Sequence, residues 1–240
     1  MTSQATTILL IPGFWLDASS WDDVLPVLQV AGLQARALTL PGLESADADR
    51  RDIGLRDHVN AVVAAIDEAA GPVVLVGHSG GGAIAHAAAD ARPDRVARVV
   101  YVDAGPLGPG NAINDGLPVV DGEIPLPDWS MFDEADLRDL DDDLRARFRA
   151  RAVPEPTAVA YDAQVLNDER RYDVPATIIA CEFPSEQLRQ WIAEGNPYVA
   201  ELAAMHDVEY VDLPTGHWPQ FTRPRDLAQA ILAAVDQPRP

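Results

Sequence analysis

The chain has 240 residues, 48% of them hydrophobic and 23% charged, a composition that can bury the core of one α/β unit. Its 18 basic residues are all arginine against 38 acidic ones, so the formal charge of -20 repels polyanions and argues against a nucleic-acid partner. The absence of lysine excludes a Schiff base and a lysine-dependent phosphate loop.

No apolar run approaches the ~18 residues of a membrane span, so a water-soluble protein without membrane association is expected. Residues 1–7 carry no basic segment, and the apolar run after them leads into Pro12-Gly13 rather than a small-residue cleavage site. A cytoplasmic location is therefore expected. It agrees with Cys181 being the single cysteine, read as a buried filler at a strand end.

In chain order, Thr7 to Ile11 form the first apolar strand. Trp21, Val24, Leu25 and Leu28 then repeat at helical spacing, with Ser20 as the expected N-cap and Gly32 as the stop. Ala35 to Leu40 read as the second strand, and Leu55, Val59, Val62, Val63 and Ile66 as the stripe of the next helix. Val73 to Val76 form a strand that runs through a glycine-rich turn into a helix of small residues ending near Ala91. A fourth strand, Val99 to Val102, stops at Asp103.

The alternation then lapses from Pro106 to Tyr172, too long for an ordinary connection, which predicts a cap insertion at 106–172 between core segments 1–105 and 173–240. Leu137, Leu140, Leu144 and Phe148 predict a cap helix with acidic residues from Asp133 at its start and arginines at its end. Ala176 to Ala180 and Val208 to Leu213 resume the sheet, and Leu227 to Val235 close the chain as a helix. This is the pattern of a single α/β domain, a mostly parallel sheet with helices on both faces.

Gly77-His78-Ser79-Gly80-Gly81 matches G-x-S-x-G between a strand and a helix, where the motif presents a serine on a sharp turn. A dinucleotide loop is the competing reading. Gly77, Gly80 and Gly82 have the wrong spacing for it, and the turn does not follow the first strand. A serine needs a base, and His217, after the last strand and before the final helix, supplies it in the order Ser then His. His58, His86 and His206 read as structural or exposed, none with metal-ligand spacing.

Ile11-Pro12-Gly13-Phe14-Trp15, Gly77-His78-Ser79-Gly80-Gly81 and Gly216-His217-Trp218 resemble the three signature loops of the α/β-hydrolase superfamily over nearly the whole chain. The Gly13-Phe14-Trp15 turn and the cap segment Val153-Pro154-Glu155-Pro156 are similar to the small-esterase branch that includes plant methylesterases and hydroxynitrile lyases. The resemblance implies an oxyanion hole from the N–H groups of Phe14 and Gly80. One departure is Pro12 where this loop usually begins with histidine.

The triad acid usually follows the strand formed here by Ala176 to Ala180, where the chain offers only Glu182 and Glu186. Relatives similar to haloalkane dehalogenases place it at the end of the preceding strand, the position of Asp103, and Asp103 is preferred. The expected activity is hydrolysis of an ester-like bond, in a carboxylic ester, lactone or thioester, through an acyl-enzyme and with neither cofactor nor metal. Alternatives are a receptor-like binder without turnover, an acyltransferase and a C–C bond hydrolase. Serine at the elbow disfavours dehalogenase and epoxide hydrolase chemistry, and the lack of lysine a cyanohydrin lyase. Trp15, His78, Trp129, Phe132, Tyr161 and Trp218 are candidates to line a pocket for a small, neutral, partly apolar substrate.

Overall fold

A computed structural model describes residues 6–236. Residues 1–5, part of the 1–7 segment used for the expected cytoplasmic location, and residues 237–240 lie outside the described residues. Six strands form one sheet: β1 (Thr7–Ile11), β2 (Gln34–Ala37), β3 (Val73–His78), β4 (Val96–Val102), then β7 (Ala176–Ala180) and β8 (Val208–Asp212). The order across it is β2-β1-β3-β4-β7-β8, and every pairing is parallel.

Parallel strands covered on both sides are apolar at successive positions, because alternate side chains face opposite layers. Leu9, Ile11, Leu75, Val99, Tyr101 and Ile178 belong to one core layer, which includes residues of α2 (Leu55–Glu68) and α3 (Gly80–Ala91). Ile8, Leu10, Val74, Val76, Val100, Val102 and Ile179 belong to the other, with α1 (Leu25–Val30) and α9 (Pro224–Val235). Each such buried aliphatic side chain contributes about 1.5–3 kcal/mol relative to exposure. The two layers hold β3 and β4 rigidly at the sheet centre, and those strands end at Ser79 and Asp103.

The insertion between β4 and β7 carries a two-stranded antiparallel sheet, β5 (Glu123–Ile124) with β6 (Glu155–Pro156), and the helices α4 (Asp142–Arg151) and α5 (Thr157–Tyr161). Beyond β7 come α6 (Ser185–Ala193) and α7 (Ala200–Ala204). After β8, α8 (Pro219–Thr222) precedes α9. Among the described residues no helix is long and apolar enough to cross a membrane.

Three expectations are corrected. The continuous helix from Ser20 is instead a 3-10 turn, Ala18–Trp21, followed by α1. Asp17, not Ser20, caps that turn by accepting from the Ser19 N–H at 2.8 Å, and Pro26, lacking an N–H, stands in the first turn of α1 where a continuous helix would need one. The apolar stripe survives the break, since Trp21, Val24 and Leu28 are all buried. The second strand ends at Ala37 rather than Leu40. The cap helix begins at Asp142: Asp141 caps it through the Leu144 N–H at 2.8 Å. Asp139, with φ of 64°, breaks any earlier start. Arg149 and Arg151 still lie in its last turn, as its dipole favours.

Candidate active site

Ser79 stands between β3 and α3 with φ of 51° and ψ of -125°, a conformation strained for any residue with a β-carbon. The strain persists because the Ser79 N–H donates to the Val102 carbonyl at 3.1 Å and its own carbonyl accepts from Gly82 at 2.8 Å. The first loop is pressed against this turn. A β-carbon on Gly13 would lie 2.7 Å from His78 Nδ1 and 2.9 Å from Ser79 Cβ, so only glycine permits the approach. Gly80, the first residue of α3, has an N–H with no carbonyl in its own helix to receive it. Among the described residues the Phe14 N–H likewise has no acceptor, so each of the two loops that meet at Ser79 carries an unused donor.

His217 Nε2 lies 2.9 Å from Ser79 Oγ, and its Nδ1 lies 2.7 Å from Asp103 Oδ2. Asp103 also has a positive φ, 43°. Its Oδ1 accepts from the N–H groups of Cys181 at 3.0 Å and Glu182 at 2.9 Å. Burial works against its charge, but the His217 hydrogen bond and these two N–H groups outweigh it and hold the carboxyl below its ordinary value. Burial likewise opposes charge on His217, and the Asp103 hydrogen bond and charge overcome it to raise the imidazole above its ordinary 6.5. Serine, histidine and aspartate thus form one continuous hydrogen-bonded line.

The alternative acids sit differently. Burial and a hydrogen bond with Asp136 push Glu182 up to about 8, so it is protonated near neutrality and cannot supply a fixed negative charge to an imidazolium. Glu186 is exposed in the first turn of α6. Oxygens of Asp103 and Glu182 and a His217 nitrogen lie within 4.8 Å of one another. Because Asp103 and His217 already direct these atoms at each other, the cluster is the acid end of the line rather than an open cation cradle.

His78 is corrected as a pocket residue. Fully buried, it donates from Nε2 to the His217 carbonyl at 2.7 Å, and its Nδ1 accepts from Gln220 at 3.2 Å. Burial lowers it to about 3, so it stays neutral and fixes the histidine loop from behind. The cap fixes that loop from outside. The His217 N–H donates to the Asp136 carbonyl at 2.8 Å and the Gly216 N–H to the Arg138 carbonyl at 3.2 Å. A β-carbon on Gly216 would run into the same cap backbone. Sequence reasoning missed Gln220, Asp136 and Arg138, for nothing in the local pattern marks such distant partners.

Trp15, Trp129, Phe132 and Trp218 are brought together. Phe132 packs against Trp15 at 6.0 Å, Trp129 at 5.7 Å and Trp218 at 5.4 Å, and Trp218 stands edge-on to His217 at 5.1 Å. This apolar wall therefore reaches the imidazole. Tyr161 is not part of it; its hydroxyl donates to the Leu117 carbonyl at 2.6 Å from a partly exposed position.

A strained serine on a strand-to-helix turn, with an imidazole and a carboxylate behind it on a parallel sheet, defines the α/β hydrolases. The sequence matches the family described as "Alpha/beta hydrolase family" over residues 8–230, and the chain belongs to it. It is 26% identical to a pyrethroid hydrolase of Sphingobium wenxiniae, over 97% of this chain and 89% of the relative. It is 28% identical to the lipase LipV of Mycobacterium tuberculosis, over 74% of each. A methylesterase from Arabidopsis shares the fold with a TM-score of 0.74 at 18% identity, covering 96% of this chain and 99% of that one.

Proposed function

We propose that this hydrolase cleaves an ester-like bond in a small, neutral, partly apolar molecule through a covalent acyl-enzyme on Ser79. The observation that carries the reading is the unbroken line from Ser79 Oγ to His217 Nε2 at 2.9 Å and from His217 Nδ1 to Asp103 at 2.7 Å. In the acylation step His217 takes the hydroxyl proton as Ser79 Oγ bonds to the carbonyl carbon, and Asp103 stabilises the imidazolium. Phe14 and Gly80 receive the oxyanion on their N–H groups. The imidazolium then returns its proton to the departing alcohol, and water repeats the sequence on the acyl-enzyme. The aromatic wall beside His217 and the names of the two relatives, a pyrethroid hydrolase and a lipase, support an ester with apolar parts. A cytoplasmic setting belongs to the same reading, supported by a single cysteine that is buried and unpaired.

The test combines turnover of short p-nitrophenyl esters with labelling by a fluorophosphonate. One adduct per chain on Ser79, formed as turnover disappears, is the expected result. Turnover that persists with Ser79 unlabelled overturns the assignment. Because the neutral imidazole is the base and its pKa is raised, the acid limb of kcat/KM is expected above 6.5, with activity lost as pH falls through it. A pH–rate profile checks this.

Gly13→Ala is expected to lower kcat by about 10²–10³-fold, the loss of one oxyanion donor, since the added carbon must push the first loop away from Ser79. Kinetics paired with a melting curve separates this from unfolding.

A further inference from the structure

Trp15 directly follows Phe14 and adopts φ of 64°, a left-handed conformation that costs a residue with a side chain about 1–3 kcal/mol and persists only when its surroundings impose it. The cap imposes it at three points. The Trp15 N–H donates to Glu155 Oε2 at 3.2 Å, its carbonyl accepts from the Val153 N–H at 3.0 Å, and its indole N–H donates to the Ile124 carbonyl at 3.0 Å. Of these partners only Glu155 is a side chain, and it is almost wholly buried, at 1% exposure.

A buried carboxyl requires a reason. Arg50 is bound to Glu123 at 2.7 Å and to main-chain carbonyls rather than to Glu155. The group facing Glu155 is His58, also fully buried, on α2. His58 Nε2 lies 2.8 Å from the Pro41 carbonyl and must carry the proton there, since a carbonyl can only accept. Burial lowers His58 to about 4, which favours the neutral ring and leaves Nδ1 as the lone pair. That atom has no hydrogen-bond partner and lies 3.9 Å from Glu155 Oε1.

A neutral Glu155 fits this setting: Oε1 faces the unpartnered His58 Nδ1 across 3.9 Å, and Oε2 accepts from Trp15. Burial favours the same state, pushing Glu155 up to about 8 and His58 down to about 4.

Building on the serine-hydrolase reading, we propose that Glu155 is a positioning residue. Facing His58 in the buried interior, it holds the Trp15 main chain so that the neighbouring Phe14 N–H faces the oxyanion, and the cap thereby completes the hole that the core begins. The first loop is thus held from the cap side, across 140 positions of sequence. Phe14 also presses its ring on Gly80, where a β-carbon would lie 2.8 Å from Phe14 Cε1, so a shift of this loop disturbs both donors together.

Glutamine matches a neutral glutamic acid in shape and polarity: its carbonyl can accept from Trp15 while its NH₂ faces His58 Nδ1. Glu155→Gln is therefore expected to keep kcat within about threefold of the parent. Glu155→Leu removes the acceptor and is expected to lower kcat by about 10²-fold with KM nearly unchanged, the cost of misplacing a catalytic donor by about 1 Å. Glu155→Asp, whose acceptor is withdrawn by one methylene, provides the same readout if the leucine variant does not fold.

The second measurement is inhibition by a trifluoromethyl ketone, whose serine adduct places a negative oxygen in the hole. Its affinity should fall in parallel with kcat. Equal loss in the glutamine and leucine variants, or a folded leucine or aspartate variant that keeps the parent kcat, overturns the proposal. These results are distinct from a failure of the underlying reading, which is an ester hydrolase still active as Ser79→Ala.

Discussion

Ser79→Ala is expected to lower kcat by about 10⁶-fold and Asp103→Asn by about 10⁴-fold, while Glu182→Gln and Glu186→Gln stay within a few-fold of the parent. The order follows from the geometry. Without Ser79 Oγ there is no atom to be acylated, and only binding and the two N–H donors remain to assist attack by water. Asparagine at 103 still fits between the Cys181 and Glu182 N–H groups and His217 Nδ1, 2.7 Å away from the carboxylate it replaces. If its carbonyl keeps those N–H groups, its NH₂ meets Nδ1 and selects the tautomer with the proton on Nε2, the nitrogen that must accept from Ser79. It also removes the charge that stabilises the imidazolium. Single-turnover and steady-state ester hydrolysis with each purified variant checks the ranking. A Glu182→Gln protein as impaired as Asp103→Asn would transfer the acid role to Glu182, against its position as a protonated neighbour of Asp136.

That assignment shows where sequence reasoning reaches and where it stops. β3 and the Val99–Val102 half of β4 were legible because strands buried on both faces are mostly apolar, whereas its start at Val96 was hidden by the buried Arg98; the turn at Ser79 was legible because strained backbone demands small neighbours. Asp103 could be named from its place at a strand end, yet no local pattern separates it from Glu182. What distinguishes them is that Asp103 receives two N–H groups from residues 78 and 79 positions away and meets His217, 114 positions away. His78 was misjudged for a related reason. Next to a nucleophile a polar residue suggests a pocket, whereas its actual partners, the His217 carbonyl and Gln220, are contributed by the far end of the chain. α1 failed on a local rule instead, because its apolar periodicity continues through Pro26 although a helix entering from Ser20 cannot. Glu155 was legible only as part of a cap segment similar to small esterases; its role was not, because its partners Trp15 and His58 lie 140 and 97 positions away.

The buried Glu155 also makes stability depend on pH in a way that a single variant isolates. Glu155→Gln is expected to gain on the parent by about 1.4 kcal/mol for each pH unit as pH rises from 4.5 to about 8, and to stop gaining beyond. In the unfolded chain the carboxyl ionises near 4.5, while burial raises its folded value to about 8. Between those values the folded protein holds a proton that the unfolded one has released. The contribution of the protonated group is thus fully present below 4.5 and is lost as pH climbs through the folded value. Glutamine cannot ionise, so it keeps the hydrogen bond to Trp15 at every pH and avoids the cost of retaining the proton. Burial lowers His58 to about 4, so it stays neutral across this window and the slope reports Glu155. Urea denaturation of parent and variant at pH 5, 6, 7 and 8 measures the slope. A difference that does not change with pH would mean that Glu155 enters the fold already ionised. The carboxylate would then face an imidazole that must itself be protonated, and the neutral pairing of acid and imidazole would have to be abandoned.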